Sequence, residues 1–227
     1  SILEYRDTGY LPEALVNYLV RLGWSHGDQG VFTLQEMIEH FSLDNVSPAA
    51  AVYDTDKLLW MNSHYLRSIA PAEIARRLEL FLDEPGVGEA FHKLPEETKV
   101  RIVESLQPRT STLVEMARGA VFYMAGELTY DEKASKKFLT TEALPLLEEI
   151  TEALSRQQDY REESLQALFA NFAEEKSVKL GKVAMPVRVA LSGSNISPGL
   201  FEIISILGKE KVLIRLQRGI DYIKSHQ

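Results

Sequence analysis

Between Arg188 and Phe201 the chain reads RVALSGSNISPGLF. Arg188 brings a planar guanidinium with paired donors. Ser197 and Pro198 follow across a small-residue loop, and Leu200 and Phe201 add an aliphatic and an aromatic face. Polar donors beside apolar and aromatic faces are what unstacked bases of a single-stranded nucleic acid need. The loop also leads into a helical pattern, whose first N–H groups attract anions. Ser197 is the expected N-cap of that helix and Pro198 its first residue. The β-branched run VRVAL just before the loop reads as a strand. The ordinary alternative is a strand-to-helix turn closed by a Ser-Pro cap. A second candidate is Arg109 in QPRTSTL, behind a proline in a short gap between two helical patterns. It offers paired donors to a base edge or a phosphate; otherwise it is a capping or ion-pairing arginine. Lys209 and Lys211, in GKEKV, are the candidate phosphate contacts.

The charge pattern agrees with a local polyanion contact. The 227 residues carry a formal net charge of −8, yet residues 176–227 hold nine Lys or Arg against three Asp or Glu. That +6 leaves −14 on the remainder, so an acidic body ends in a basic segment. The ordinary reading is a lysine-rich solvated helix face. No cysteine is present, which excludes disulfides, thiolate metal sites and a thiol nucleophile. The five histidines lie apart, with no i, i+4 metal spacing. No G-x-x-x-x-G-K-[ST] or G-x-G-x-x-G pattern occurs. Carboxylate pairs such as Glu148–Glu149 and Glu174–Glu175 fall on amphipathic helical patterns, where they face solvent. No catalytic residue and no metal ligand is assigned. No apolar run nears the roughly 20 residues of a membrane span, and the N-terminus lacks a signal-peptide pattern. A cytoplasmic protein is expected.

The elements that must position these residues read as helices almost throughout, and the expected class is all-α. LPEALVNYLVRLGWS puts Leu11, Leu15, Tyr18, Leu19 and Leu22 on one stripe, with Pro12 in the first turn and Gly23 at the stop. Thr33 and Glu36 form a capping-box pattern. Further helical patterns carry Leu58, Leu59, Met61 and Leu66, then Ile74, Leu78, Phe81 and Leu82. Others span PEETKVRIVESL, TLVEMARGAVFYM, two segments around Thr140–Thr141, and REESLQALFANFAEEKSV with Leu165, Leu168, Phe169 and Phe172 inward. LFEIISILG and KEKVLIRLQRGIDYIK close the chain. No internal repeat is present.

The stretches YRDTGYLPEALVNYLVRLGWS, KLLWMNSHYLR, PRTSTL and KLGKVAMPVRVALSGSNISPGLFEIISILGKEKVLIRL together resemble bacterial-type glutamyl-tRNA synthetases, in the same order over essentially the whole chain. The family joins glutamate to its tRNA with ATP and magnesium, through a Rossmann-type domain with H-I-G-H-like and K-M-S-K-S-like motifs. In the family YRDTGYLPEAL follows that second motif closely. The resemblance therefore implies a portion without the catalytic domain, which binds tRNA(Glu) as a monomer, needs no cofactor itself and does not catalyse. The helical pattern places boundaries near Ala70–Pro71 and Tyr130–Asp131, and the resemblance implies that the parts are a stem-contact helical domain at 1–70 and anticodon-binding subdomains at 71–130 and 131–227. Arg109 falls on the position that tests the third anticodon base, favouring cytosine over guanine. Arg188, Ser197, Pro198, Leu200 and Phe201 fall on the anticodon-contacting stretch. Ser192 and Gly199 stand where some members have threonine and proline, so individual base contacts there are open. KASKK, Lys133–Lys137, is similar to the lysine-rich phosphate loop of class I synthetases, but it continues a polar helix face and no nucleotide domain precedes it. The alternative to RNA binding is a helical protein-interaction module.

Overall fold

A computed structural model describes residues 1–47 and 52–226. Among these, helices are the only extended elements; the one bridge is an isolated pairing of His26 with Gln29. No helix among the described residues is long and apolar enough to cross a membrane. The chain divides into two compact units, Ser1–Ala120 and Val121–Gln227.

The first unit contains α1 (Ile2–Asp7), α2 (Pro12–Arg21), α3 (Leu34–His40), α4 (Thr55–Ser68), α5 (Pro71–Leu78), α6 (Val87–His92), α7 (Glu96–Leu106) and the start of α8 (Leu113–Met124). Local chemistry sets several starts. Pro12 and Pro71 open α2 and α5, where a missing N–H costs nothing. Thr33 and Glu36 form the reciprocal capping box of α3. Leu11, Tyr18, Leu58, Met61, Leu66, Ile74 and Leu78 are buried as their spacing predicts. The α2 stripe needs one correction. Leu19 is 48% exposed, and the inward position belongs to Asn17. The Asn17 amide donates to the Gly30 carbonyl (3.1 Å), while its Oδ1 accepts the Phe32 N–H (2.7 Å) and the Tyr65 hydroxyl (2.8 Å). A buried amide with three hydrogen bonds fixes the 29–33 segment against α2 and α4.

The second unit contains α9 (Glu132–Phe138), α10 (Leu144–Arg156), α11 (Glu162–Glu175), α12 (Leu180–Ser192) and α13 (Leu200–Ser225). The β-branched run 187–191 is helical, not a strand. Val187, Val189, Ala190 and Leu191 are all buried, α13 packs against this helix, and the described residues include no strand to pair with. Burial overrides local propensity here. Gly219 permits a close approach of α13 to α12, since a Cβ there would lie 2.7 Å from Ala190 Cβ. The expected break between LFEIISILG and KEKV lies at Gly208, with φ +75° and ψ 164°, a conformation left to glycine.

The largest fully buried side chain is Arg215. It donates to the carbonyls of Leu191 (2.7 Å), Phe122 (2.5 Å) and Ala125 (2.8 Å). Leu191 and Phe122 lie in the last turns of α12 and α8, and Ala125 directly follows α8, so one cation satisfies carbonyls at two helix C-termini, where the dipoles favour it. Burial pulls the Arg215 pKa down to about 10, which still leaves it charged at neutral pH.

Candidate nucleic-acid interface

Arg109 belongs to the first unit. The interruption expected at QPRTST stands between α7, which ends at Leu106, and α8, which starts at Leu113; its first three residues, Gln107–Arg109, form a 3-10 turn directly after α7. The turn is pinned on both sides of the arginine. The Gln107 side chain is buried and donates to the carbonyls of Leu66 (2.9 Å) and Ile69 (3.0 Å). Thr110 returns its hydroxyl to the Leu106 carbonyl (3.0 Å). Thr112 Oγ1 accepts the Glu115 N–H (3.1 Å), and the Glu115 carboxylate accepts the Ser111 N–H (2.6 Å). Asn62, fully buried, ties this corner to the start of α2: its amide donates to the Ser111 carbonyl (2.5 Å), and its Oδ1 accepts the Leu11 N–H (2.8 Å). Gly9 passes so close to α8 that a Cβ would sit 2.5 Å from the Val114 nitrogen. Against this rigid frame Arg109 is exposed, with Nε donating to the Ser105 carbonyl at 3.2 Å. Neither Asn62 nor Gln107 was singled out from the sequence, since a buried amide and a surface one have the same local signature.

The 188–201 loop belongs to the second unit. Gly193 terminates α12 in the left-handed region, φ +78°, and its carbonyl accepts the Asp131 N–H at 2.8 Å. A Cβ on it would meet the Thr129 carbonyl oxygen at 2.5 Å, so only glycine fits. Arg188 reaches across the loop mouth. It donates to Ser197 Oγ (2.5 Å), the Pro198 carbonyl (2.5 Å) and the Ser197 carbonyl (3.3 Å).

That clamp changes the expected cap. α13 starts at Leu200 behind Gly199, not at Pro198 behind Ser197. The Ser197 hydroxyl is held by Arg188, and the Gly199 N–H is met at 3.2 Å by the carboxylate of Glu202. An internal anion thus sits at the helix N-terminus expected to attract an external one. Pro198 and Leu200 are buried, and Phe201 is half-buried edge-on to Phe169, with ring centroids 5.3 Å apart. The residues that project are Asn195 and Ile196, the latter 85% exposed. A single large aliphatic residue amid Ser, Gly and Asn was the available signal for that tip.

The structure thus brings together Arg188, Ser197 and Pro198, sets Leu200 and Phe201 beneath them as packing, and holds Arg109 in the other unit. Lys209 donates to the Gln157 carbonyl (3.0 Å) and Lys211 to the Tyr123 carbonyl (2.9 Å). Burial, with Arg215 nearby, lowers the Lys211 pKa. Both ammonium groups have structural work. No group of three or more His, Asp or Glu is placed to hold a metal among the described residues.

Residues 62–220 match the family model described as the anticodon binding domain, and residues 1–60 match that of the class I tRNA synthetases (E and Q), catalytic domain. The chain is similar to the glutamate–tRNA ligase of Geotalea uraniireducens, with 44% identity over 99% of this chain and 47% of the relative. It is 47% identical to that of Syntrophobacter fumaroxidans, over 98% of this chain and 47% of the relative. The chain therefore spans about half the length of the curated relatives it matches. A crystal structure of a glutamate tRNA ligase from Elizabethkingia meningosepticum, in complex with its amino acid, superposes with a TM-score of 0.86. It is 31% identical over 96% of this chain and 43% of that one.

Proposed function

Since the chain belongs to the anticodon-binding domain family, as the C-terminal region of a glutamate–tRNA ligase, we propose that it binds tRNA(Glu) and reads the anticodon. The ATP- and magnesium-dependent ligation belongs, in this reading, to the part of the relatives that the chain does not span. The three-part division at 1–70, 71–130 and 131–227 belongs to it too, as do a monomeric state and a cytoplasmic setting.

The observation that carries the reading is the match of residues 62–220 to the anticodon-binding domain. The geometry supports roles for individual residues. Arg109 stands exposed on a corner whose main chain is fixed by Gln107, Thr110 and Asn62. Its placement is set before binding, so little ordering opposes recognition. A guanidinium there donates to the O2 and N3 acceptors of cytosine. Guanine turns an N1–H donor toward the same donors, a mismatch of about 1–3 kcal/mol. Arg188 acts as a clamp that shapes the 193–199 loop. Ser197 and Pro198 supply that loop's form, Leu200 and Phe201 its floor, and Asn195 with Ile196 the surface a base would meet.

The test is fluorescence anisotropy of the chain with a labelled tRNA(Glu) transcript and with an unrelated tRNA, at low and moderate salt. Tighter binding of tRNA(Glu), retained at moderate salt, is the expected result. Equal affinity for both transcripts, vanishing as salt rises, would leave only non-specific attraction and overturn the reading.

A further inference from the structure

In the second unit most basic side chains already have partners. Lys136 pairs with Glu132, Lys176 with Glu149 and Lys224 with Glu148, and Lys209 and Lys211 reach carbonyls. Arg156 and Arg161 pair with Glu152 and Asp159. Among the described residues of this unit, four exposed lysines have neither a carboxylate nor a carbonyl partner: Lys133, Lys137, Lys179 and Lys182. They are not scattered. Lys133 and Lys137 are one turn apart on α9, and Lys179 and Lys182 are three apart at the start of α12, so each pair shares a helix face. α9 packs against α12, and between them opens a cleft of about 290 Å³ with Lys137 and Lys182 in its lining.

The rest of the lining is chemically mixed. Phe138, Val178 and Pro186 give an apolar wall, and Thr140 and Glu142 add a hydroxyl and a carboxylate. Phe138 is half-buried, and the Lys137 ammonium lies 5.2 Å from its ring centroid. No acidic residue stands in the first turn of α12 to cancel the lysines. An inorganic anion would gain from the lysines but be repelled by Glu142 and make no use of the ring. A nucleotide uses all of them: phosphate to the ammonium groups, base against the aromatic face, and an amino group or ribose hydroxyl donating to Glu142. The volume is near the lower bound of about 300 Å³ for small-ligand pockets, enough for one unit and not for several. The ten residue steps from Lys182 to Ser192 rise about 15 Å along α12, so a strand lying on the 193–199 loop is within reach of the cleft.

We propose that this cleft seats one nucleotide unit of a bound RNA strand, its phosphate between Lys137 and Lys182 and its base on Phe138. The proposal rests on the tRNA-binding reading above. The test uses the whole chain, with anisotropy of labelled tRNA(Glu) across a salt series. The double variant Lys137→Gln/Lys182→Gln changes only exposed side chains. It should flatten the slope of log K against log salt by about 0.7, the value for the one single-strand phosphate contact it removes. Phe138→Leu, which keeps an apolar filling, should weaken binding roughly fivefold or more through lost stacking. Lys176→Gln, taken from an ion pair, should leave the slope unchanged. Tight wild-type binding with slope and affinity unaltered in the double variant and in Phe138→Leu overturns this proposal alone. Absence of tRNA binding by the wild type overturns the functional reading with it. Cytidine monophosphate binding without RNA, abolished by the double variant while tRNA binding is unaffected, would assign the cleft to a free nucleotide and overturn the strand assignment.

Discussion

The two units treat their buried cations in opposite ways. In the first, Arg77 and Lys99 meet carboxylates. Arg77 makes a two-pronged contact with Glu13 (2.8 and 3.0 Å) and a third with Glu73 (2.8 Å). Lys99, 4% exposed, lies between Glu96 (2.9 Å) and Glu79 (3.1 Å). In the second, buried Arg215 takes three main-chain carbonyls, half-buried Lys209, Lys211 and Arg188 take others, and exposed Arg218 reaches the Gly126 carbonyl. A carbonyl contact stabilises a helix end but neutralises no formal charge. The first unit, residues 1–120, carries a formal −7 and the second, residues 121–227, only −1. Carbonyl-directed cations thus let the second unit remain less acidic while much of its positive charge is turned inward. The outward-facing remainder is what RNA would meet, and it is smaller than the +6 of residues 176–227 suggests.

The largest test of this contrast is Arg215→Leu. It leaves three helix-end carbonyls without their donor in a dry interior, and about 3–5 kcal/mol of stability should be lost from the second unit. Both tryptophans, Trp24 and Trp60, lie in the first unit. Tryptophan fluorescence in a urea titration should therefore keep its midpoint while a far-UV dichroism transition moves to lower urea. If the two probes shift together, the units do not respond separately and the contrast fails.

Gly193→Ala comes next. It forces a side chain into φ +78° and against the Thr129 carbonyl, with an expected loss of about 2–3 kcal/mol, again confined to the second unit. The same fluorescence and dichroism pair reads it, and an unchanged dichroism midpoint would mean the loop relaxes at no cost.

Glu13→Gln is the smallest, about 1 kcal/mol at neutral pH, because the pair is a third exposed to solvent. Its value lies in the pH dependence. Burial by itself raises the Glu13 carboxyl, but hydrogen bonds from Arg77 and the main chain outweigh it and hold the pKa below the usual range. A depressed carboxylate contributes stability that is present above its unfolded value near 4.5 and lost as pH falls through the folded one. Fluorescence-monitored stability of the wild type should therefore fall from about pH 4.5 downward, less steeply in Glu13→Gln. Arg215 and its carbonyls do not titrate there. An identical acid slope in variant and wild type would remove Glu13 from the account.

Much of this architecture was legible in the sequence. Pro12, Pro71 and the Thr33–Glu36 pair announced helix starts through contacts within one turn, and Gly208 marked the break inside α13. Arg109 was legible as a loop arginine because its proline and flanking threonines are local signals. What escaped depends on distant partners. Lys211 meets Tyr123 from 88 residues away and Arg215 meets Phe122 from 93, so nothing near either residue distinguishes a helix-end donor from a phosphate contact. Ser197 carried a good cap signature, yet Arg188 held its hydroxyl first. VRVAL followed its β-branched preference until burial against α13 decided otherwise. The KASKK lysines read as a solvated face; only the packing of α9 on α12 sets Lys137 opposite Lys182 over a cleft.

The most direct test of the functional reading is the affinity of this chain for two tRNA(Glu) transcripts that differ only in cytosine or guanine at the third anticodon base, measured with Arg109 and with Arg109→Gln. With arginine the cytosine transcript should bind tighter by about 5- to 150-fold, the equivalent of 1–3 kcal/mol. With glutamine the ratio should drop toward one while the salt dependence changes little. A cytosine-to-guanine ratio that is the same in both proteins would make Arg109 a structural arginine and contradict the assignment.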